Sequence, residues 1–455
     1  MAYLQSVKGL LKNKSNGIVQ SIGKKEEHIM KRRWMTVLCA VLFAMLVMTT
    51  SDTKAAAETI AWNEGETEVQ TEGAFTYYIH PSKDGKEAWI YKIEIKGKKV
   101  ESLSIPETIR DKTVTRLGCP ERGSEEDDED YNTLFGTYIE PWHHWDGYIK
   151  ALSSLTSVRL PDTVEVIDQA AFSGLRSLTK IEIPKKVKRI EEYTFYGCEK
   201  LKNIVLPEQL EAFENSSLWD CPSLKSIKLS DTNKMFQVKG NSLIRKKDKA
   251  LIFAATGGKK FTIPGGVKKI TSYAFGTAKS PAIHIPASVS EIERGAFNRN
   301  PWRENIGIKN VTVTKKNRVF ARDGQCIYKK SDKSFAVAIP DKKGELRISK
   351  RVKKLTPDIS VVNCDTAEVD YLKKVVYPSG LKRVIVPGLT AITARNVYFT
   401  GSVPPKVVDP NHEYYGKLPI FCHVYVPKAY ENAYKKWYKK LKCYSNVDGW
   451  HTYNP

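Results

Sequence analysis

Few residues of this 455-residue chain are spaced to do chemistry, and each group that is has a plainer alternative. His143 and His144 are the only clustered pair among eight histidines, and imidazole is a common metal ligand. Neighbours in one loop seldom converge on one ion without further ligands, so no metal site is expected there. Six consecutive acids, Glu125 to Asp130, carry oxygens that attract calcium, yet their spacing matches no EF-hand and a solvated loop accounts for them. Beyond Cys39 seven cysteines remain, an odd number with no C-x-x-C pair, which argues against zinc. No H-E-x-x-H, G-x-S-x-G or phosphate-binding loop is present. No catalytic residue, metal or cofactor is therefore expected.

Aromatic residues make the stronger signal. Tyr131, Phe135, Tyr138, Trp142, Trp145 and Tyr148 crowd together just after the acids. Such rings supply contact energy at low entropic cost. Two readings stand: a binding surface carried by Tyr138, Trp142, His143, Trp145 and Tyr148, or a set of rings packed down to cap the first coils.

The elements that would position these residues repeat. Leu155, Leu178, Leu201 and Leu224 open four successive units, each followed by an aliphatic pair: Val158/Leu160, Ile181/Ile183, Ile204/Leu206 and Ile227/Leu229. Spacing of two predicts a strand with one buried face. Pro161, Pro184 and Pro207 follow directly and stop each strand, since proline has no N–H to pair. Ile167, Ile190 and Phe213, then Phe172, Phe195 and Leu218, fill the unit from its other side. The motif resumes at Phe261 to Pro264 and Ile283 to Pro286, and weaker copies begin at Leu346, Leu381 and His423. A unit this small cannot bury its own apolar face, whereas stacked units share one core.

The pattern L-x-x-I-x-I-P…V-x-x-I…A-F-x-G-C resembles the BspA-like leucine-rich repeats of bacterial surface proteins over roughly residues 95 to 430. The resemblance implies a mainly β repeat solenoid, a right-handed coil stack with a parallel sheet on one face and irregular coil with short helical turns on the other. It also implies a secreted or surface-displayed protein that binds protein or glycan partners, often as an adhesin.

Outward positions on the strands give the row Arg159, Glu182, Val205, Lys228, Thr262, His284, Thr312, Arg347 and the row Ser157, Lys180, Asn203, Ser226, Lys260, Ala282, Asn310. Arg159, Lys180, Lys228 and His284 are its candidate ligand-binding residues. The early rows hold no aromatic ladder, so no stacking platform for sugars or bases is indicated there. Cys198 and Cys221 occupy the place of Leu175 one coil earlier, so they are expected as buried free thiols, although stacking would also permit a disulfide.

The net charge is +22, of which residues 1–57 contribute +6 and the rest +16. A basic surface attracts polyanions. Nucleic acid is not the expected one, because Lys31-Arg32-Arg33, an apolar run from Met35 to Met48 and Ala55-Ala56-Ala57 follow one another as in a secretory signal peptide. MKRRW would itself be a normal start, which makes Met30 an alternative beginning. No transmembrane anchor is expected in the mature form.

The organisation read from this is a signal peptide at 1–57, an N-terminal β region with the first repeat at 58–118, and the acidic and aromatic insertion at 119–150. Regular repeats follow at 151–307 with a hairpin interruption at 233–254. Degenerate repeats occupy 308–400 with a second hairpin at 317–340, and a capping region closes the chain at 401–455. The leading functional reading is a secreted or cell-surface binding scaffold, extracellular and non-catalytic. One alternative is a structural wall-associated protein held by its charge on acidic wall polymers; another is an enzyme using the insertion.

Overall fold

Residues 23 apart lie side by side: Lys180 pairs with Ser157 on one side and Asn203 on the other, and Asn203 with Ser226, all in parallel register. The structure, a computed structural model, describes residues 61–96, 99–118, 131–138, 154–277, 280–297, 307–356, 358–362, 372–385, 392, 394–408, 423–439 and 449–454. All of these but Ala61 belong to one compact unit, Trp62–Pro455.

The first row of strands is Ser102–Ser104, Ser157–Arg159, Lys180–Glu182, Asn203–Val205 and Ser226–Lys228. Each central residue, Leu103, Val158, Ile181, Ile204 or Ile227, is buried. Behind the strands the prolines turn the chain: the carbonyls of Pro161, Pro184 and Pro207 accept the amides of Val164, Val187 and Leu210 at 3.2, 3.1 and 3.2 Å. The chain then enters a second row, where Arg189–Ile190 pairs in parallel with Ala212–Phe213. A sharp turn follows at Ala170, Tyr193 and Tyr273, all in left-handed backbone (φ 55, 55 and 57°), and Gly295 takes the same place in a later coil. That turn drives the next aromatic inward, where Phe172 stacks on Phe195 at 5.7 Å and Phe275 on Phe297 at 5.3 Å. The result is a mainly β solenoid of stacked parallel coils.

The two interruptions take part in the stack. Each is a three-stranded antiparallel meander whose third strand takes a place in the second row. Phe236–Lys239, Ser242–Arg245 and Ala250–Ala254 run antiparallel, and Ala250–Ala254 then pairs in parallel with Lys269–Ile270. Phe320–Asp323, Cys326–Lys329 and Phe335–Ala338 do the same, ending on Ser360–Val361. The N-terminal region is a third meander, Glu68–Glu72, Phe75–Pro81 and Glu87–Ile95, ending on Lys112–Leu117. A register shift recurs between the second and third strands of all three, leaving Tyr91, Ile252 and Ala336 as the extra residues.

In the two internal meanders the second and third strands are buried on both faces. Leu243, Ala250 and Phe253 face one core, while Ile244, Leu251 and Ala254 face the next. Further along, Ile327 and Val337 belong to that second core, and Cys326, Tyr328, Phe335 and Ala338 to a third. The meanders are therefore septa between three apolar cores. The N-terminal one carries a coil core on one face only. Its other face is closed by Trp62 against Trp89 (5.8 Å) and His80 stacked on Tyr91 (4.1 Å). Arg116 lies 3.8 Å over the Trp89 ring and grips Asp168 with two nitrogens at 3.0 and 3.1 Å. Burial pushes the Asp168 carboxyl up, and Arg116 opposes that shift.

Each internal meander enters through a buried asparagine. Asn233 donates to the carbonyls of Glu208 and Leu210 at 2.7 and 2.9 Å and accepts the amides of Met235 and Phe236 at 2.9 and 2.7 Å. Asn317 repeats this on Pro286, Val289, Val319 and Phe320 at 2.9, 2.9, 2.9 and 2.7 Å. Lys246 and Lys330 reach back to the carbonyls of Asn233 and Asn317 at 2.5 and 2.6 Å.

Beyond residue 349 the coils differ from the sequence reading at one place. Leu381 to Pro387 matches the repeat's first strand, yet Arg383–Ile385 lies between Lys354–Leu355 and Lys406–Val408 in the second row. The first-row strand of that coil is Leu372–Tyr377, which also ends on a proline, Pro378, and puts Val384 six residues later, as in the regular coils. The late first row is Glu345–Arg347, Leu372–Tyr377, Ala394–Phe399, His423–Pro427 and Gly449–Tyr453. A helix at Glu431–Lys439 lays Tyr434 and Trp437 on this last core, their polar tips bound to the carbonyls of Gly401 and Pro405 at 3.2 and 2.7 Å.

Cys198 and Cys221 are buried free thiols that donate to the carbonyls of Phe172 and Phe195, one coil back, at 3.3 and 3.0 Å. Burial pushes the Cys198 thiol well above its usual range and the Cys326 thiol up to about 12. Thiolate is the reactive form, so all three should resist iodoacetamide in the folded chain at pH 8 and react only in denaturant. Modification of either repeat cysteine at the rate of a free thiol would contradict this. Replacing Asn317 by alanine strands two carbonyls and two amides in the interior, which should cost about 3 kcal/mol or more by urea denaturation. Lys247→Ala at the exposed tip should cost next to nothing.

Candidate binding surfaces

Among the described residues the first row falls into three sheets, of five, three and five strands, and the two five-stranded sheets differ in chemistry. At the early end Arg159, Lys180 and Lys228 stand exposed on strands Ser157–Arg159, Lys180–Glu182 and Ser226–Lys228. Arg159 and Lys180 line a shallow groove of about 950 Å³ along the proline corners Pro106, Pro161, Pro184 and Pro207. Lys228 lies outside that lining. Lys180 is ion-paired with Glu182, whose carboxyl it holds below the usual range. His284 sits farther along, with Nδ1 2.9 Å from the Thr312 hydroxyl; burial and Lys260 lower its pKa, which favours the neutral ring. Arg159, Lys180 and Lys228 thus share one sheet, His284 lies on another, and only Arg159 and Lys180 share one groove.

Tyr138 ends a short strand, Gly136–Tyr138, that pairs with Tyr131–Thr133. Trp142, His143, Trp145 and Tyr148 lie outside the described residues. Between the two short strands Leu134 and Phe135 are fully buried in the first core. The Leu134 amide donates to Ala171 at 3.1 Å and its carbonyl accepts from Ile93 at 2.7 Å. This part of the insertion packs as a cap between the N-terminal meander and the first coil.

At the late end the last first-row sheet carries an aromatic row that the sequence reading did not find. Tyr398 stacks on Tyr425 at 4.2 Å with the planes 4° apart, and Tyr425 on His451 at 4.7 Å and 20°. Lys374 covers the free face of Tyr398 at 4.5 Å. Register makes the row, since Val376, Tyr398, Tyr425 and His451 are successive Cα partners. Burial, then the neighbouring Tyr425, pushes the Tyr398 phenol up. Because these rings face one another, they offer edges, hydroxyls and ring nitrogens to a ligand rather than open faces. The row therefore suits hydrogen bonding more than the stacking of a sugar. The alternation V-Y-F, V-Y-V and W-H-T was visible, but only the correct placement of Leu372–Tyr377 brings these residues into line.

A second aromatic seam runs along the turn edge, where Trp219 contacts Tyr196 at 5.5 Å and Tyr273 at 5.0 Å. Gly276 makes room for it: a Cβ there would fall 2.4 Å from the Trp219 ring. This seam ties coils on either side of the first internal meander.

Among the described residues no group of three or more His, Cys, Asp and Glu gathers to hold a metal, and no helix is long and apolar enough to cross a membrane. No curated protein matches the chain. Solved structures do. A leucine rich cell surface protein from Faecalibacterium prausnitzii A2-165 is 14% identical, with 86% of this chain and 96% of that one covered and a TM-score of 0.33. A leucine-rich repeat protein from Eubacterium ventriosum ATCC 27560 is 15% identical, with 85% of each covered and a TM-score of 0.34. The pneumococcal vaccine antigen PcpA is 13% identical over 84% and 98%, with a TM-score of 0.25. At such identities and scores they say nothing of what this chain binds. The model of the BspA type leucine rich repeat region matches residues 148–241 and 249–328 in six copies. Those two stretches of the chain therefore carry BspA-type leucine-rich repeats, and they fall within the coil stack described above.

Proposed function

We propose that this protein is an exported, non-catalytic scaffold that binds a protein or glycan at a cell surface through the outer face of its first row. The supporting observation is that row itself: its outer residues stand open, with a groove lined by charges of both signs at one end and a row of hydroxyls and imidazoles at the other. Protein-built grooves of this size with convergent polar groups are ordinary ligand sites. Export rests on the order of basic, apolar and small residues in 1–57, a segment outside the described residues.

The competing reading is a wall-associated protein held on acidic polymers by the net charge of +16 on residues 58–455. Salt separates the two, since attraction between exposed charges collapses once screened. The mature chain should be used to capture partners from cell-surface and wall fractions at low and high salt. A specific scaffold retains its partner in high salt, and the triple variant Arg159→Glu, Lys180→Glu, Lys228→Glu should capture roughly tenfold less through its effect on association. Retention that vanishes in salt for every fraction would favour the polymer reading.

The insertion is the second candidate surface, with Tyr138, Trp142, His143, Trp145 and Tyr148 as its residues. Replacing Trp142 and Trp145 by alanine should weaken capture by about 2 kcal/mol if they form a hot spot, with the melting midpoint unchanged. A fall in melting midpoint with full capture would extend the capping role of Phe135 to the whole segment.

A further inference from the structure

Two imidazoles at the late end of the first row converge in a way the aromatic row alone does not require. His423 and His451 lie on adjacent parallel strands, His423–Pro427 and Gly449–Tyr453, with His423 opposite Gly449 and Tyr425 opposite His451. His451 leans back along its strand, so that its Nε2 stands 3.2 Å from Nδ1 of His423. Gly449 lies against both nitrogens. A Cβ there would come within 2.9 Å of His451 Nε2 and 3.1 Å of His423 Nδ1, so only glycine leaves that space clear.

We propose that His423 and His451 form a surface site for a divalent transition-metal ion, with zinc the best geometric match. Two imidazole nitrogens on one tetrahedral zinc, at roughly 2.0–2.1 Å each, stand about 3.3 Å apart. The separation found here is 3.2 Å, so the span is already met, and the rings have only to turn their nitrogens from each other toward a shared ion. Both nitrogens reach the ion as neutral lone-pair donors, one from the δ and one from the ε position, which two rings on neighbouring strands can supply together. Tyr425 stacked on His451 at 4.7 Å fixes that ring before the ion arrives. Lys374 lies over Tyr398 with two phenol rings between it and His451, and in register Asn396 stands between Lys374 and His423.

No further His, Cys, Asp or Glu of the described residues completes a cluster with the pair. The ion would therefore keep positions for water or for a carboxylate or imidazole of a bound partner. The site lies on the proposed binding face but does not depend on that proposal, because it is tested with zinc alone.

Chelator-treated full-length protein is titrated with zinc chloride by calorimetry in phosphate-free buffer. The expected result is one ion per chain, with affinity about tenfold or more weaker in His423→Ala, in His451→Ala and in Gly449→Ala. His80→Ala should bind as the parent does. Zinc should raise the melting midpoint of the parent and not of the histidine variants. The metal-free variants should melt with the parent, which separates lost ligation from lost folding. His451→Gln serves in place of the alanine variant if that one is unstable. No uptake by the parent, or undiminished uptake by the His423→Ala/His451→Ala double variant, would leave the pair as an imidazole–imidazole hydrogen bond and overturn the proposal.

Discussion

The backbone hydrogen bond from a residue to its equivalent one coil earlier underlies everything else in this molecule. Thr179 donates to Thr156 at 3.0 Å, Lys202 to Thr179 at 3.0 Å and Lys225 to Lys202 at 2.8 Å. That chain of bonds fixes the rise from coil to coil and with it the register of every side chain. Phe172 meets Phe195, and Cys221 finds the carbonyl of Phe195, only because of it. Outward residues align by the same rule, so any functional surface on this face is a set of rows.

The coils were legible in the sequence wherever an aliphatic alternation, a proline and a later aliphatic occurred together, from Leu155 to Phe297. The thiols of Cys198 and Cys221 were legible too, since leucine at Leu175 marked the position as apolar. Three things were not. The segment at Leu381 satisfies the strand pattern as well as Leu372–Tyr377 does, and local pattern cannot rank two overlapping matches; the core decides. The N-terminal meander shares little with the other two: its tip is Lys-Asp-Gly-Lys at 83–86 where theirs are Lys-Lys-Asp-Lys at 246–249 and Lys-Ser-Asp-Lys at 330–333, and its first strand has no asparagine anchor. The aromatic row joins residues of three coils, so it depends on registers that degenerate copies do not reveal. The early groove residues, by contrast, follow from alternation alone.

Charge and aromatic character are divided along the first row. Arg159 and Lys180 stand where the coils are regular and the strands short, so long flexible side chains sweep an open groove. Tyr398, Tyr425 and His451 stand where strands are longer and rings lock into a stack capped by Lys374. The first end can adapt to a ligand, and the second presents a fixed pattern of donors and acceptors. Adaptable charge suits rapid capture, whereas a preorganised row suits discrimination.

The internal septa also bear on how such a chain changes length over generations. Asn233 and Asn317, Lys246 and Lys330, and the bulged Ile252 and Ala336 occupy matching places in two successive cassettes. Each cassette begins at a septum that presents one apolar face backward and one forward. Unequal crossing-over between two such segments would add or remove a whole cassette while every surviving core still met a matching wall. A chain built this way can be lengthened by recombination without redesign of any interior, and its outer face grows by entire rows.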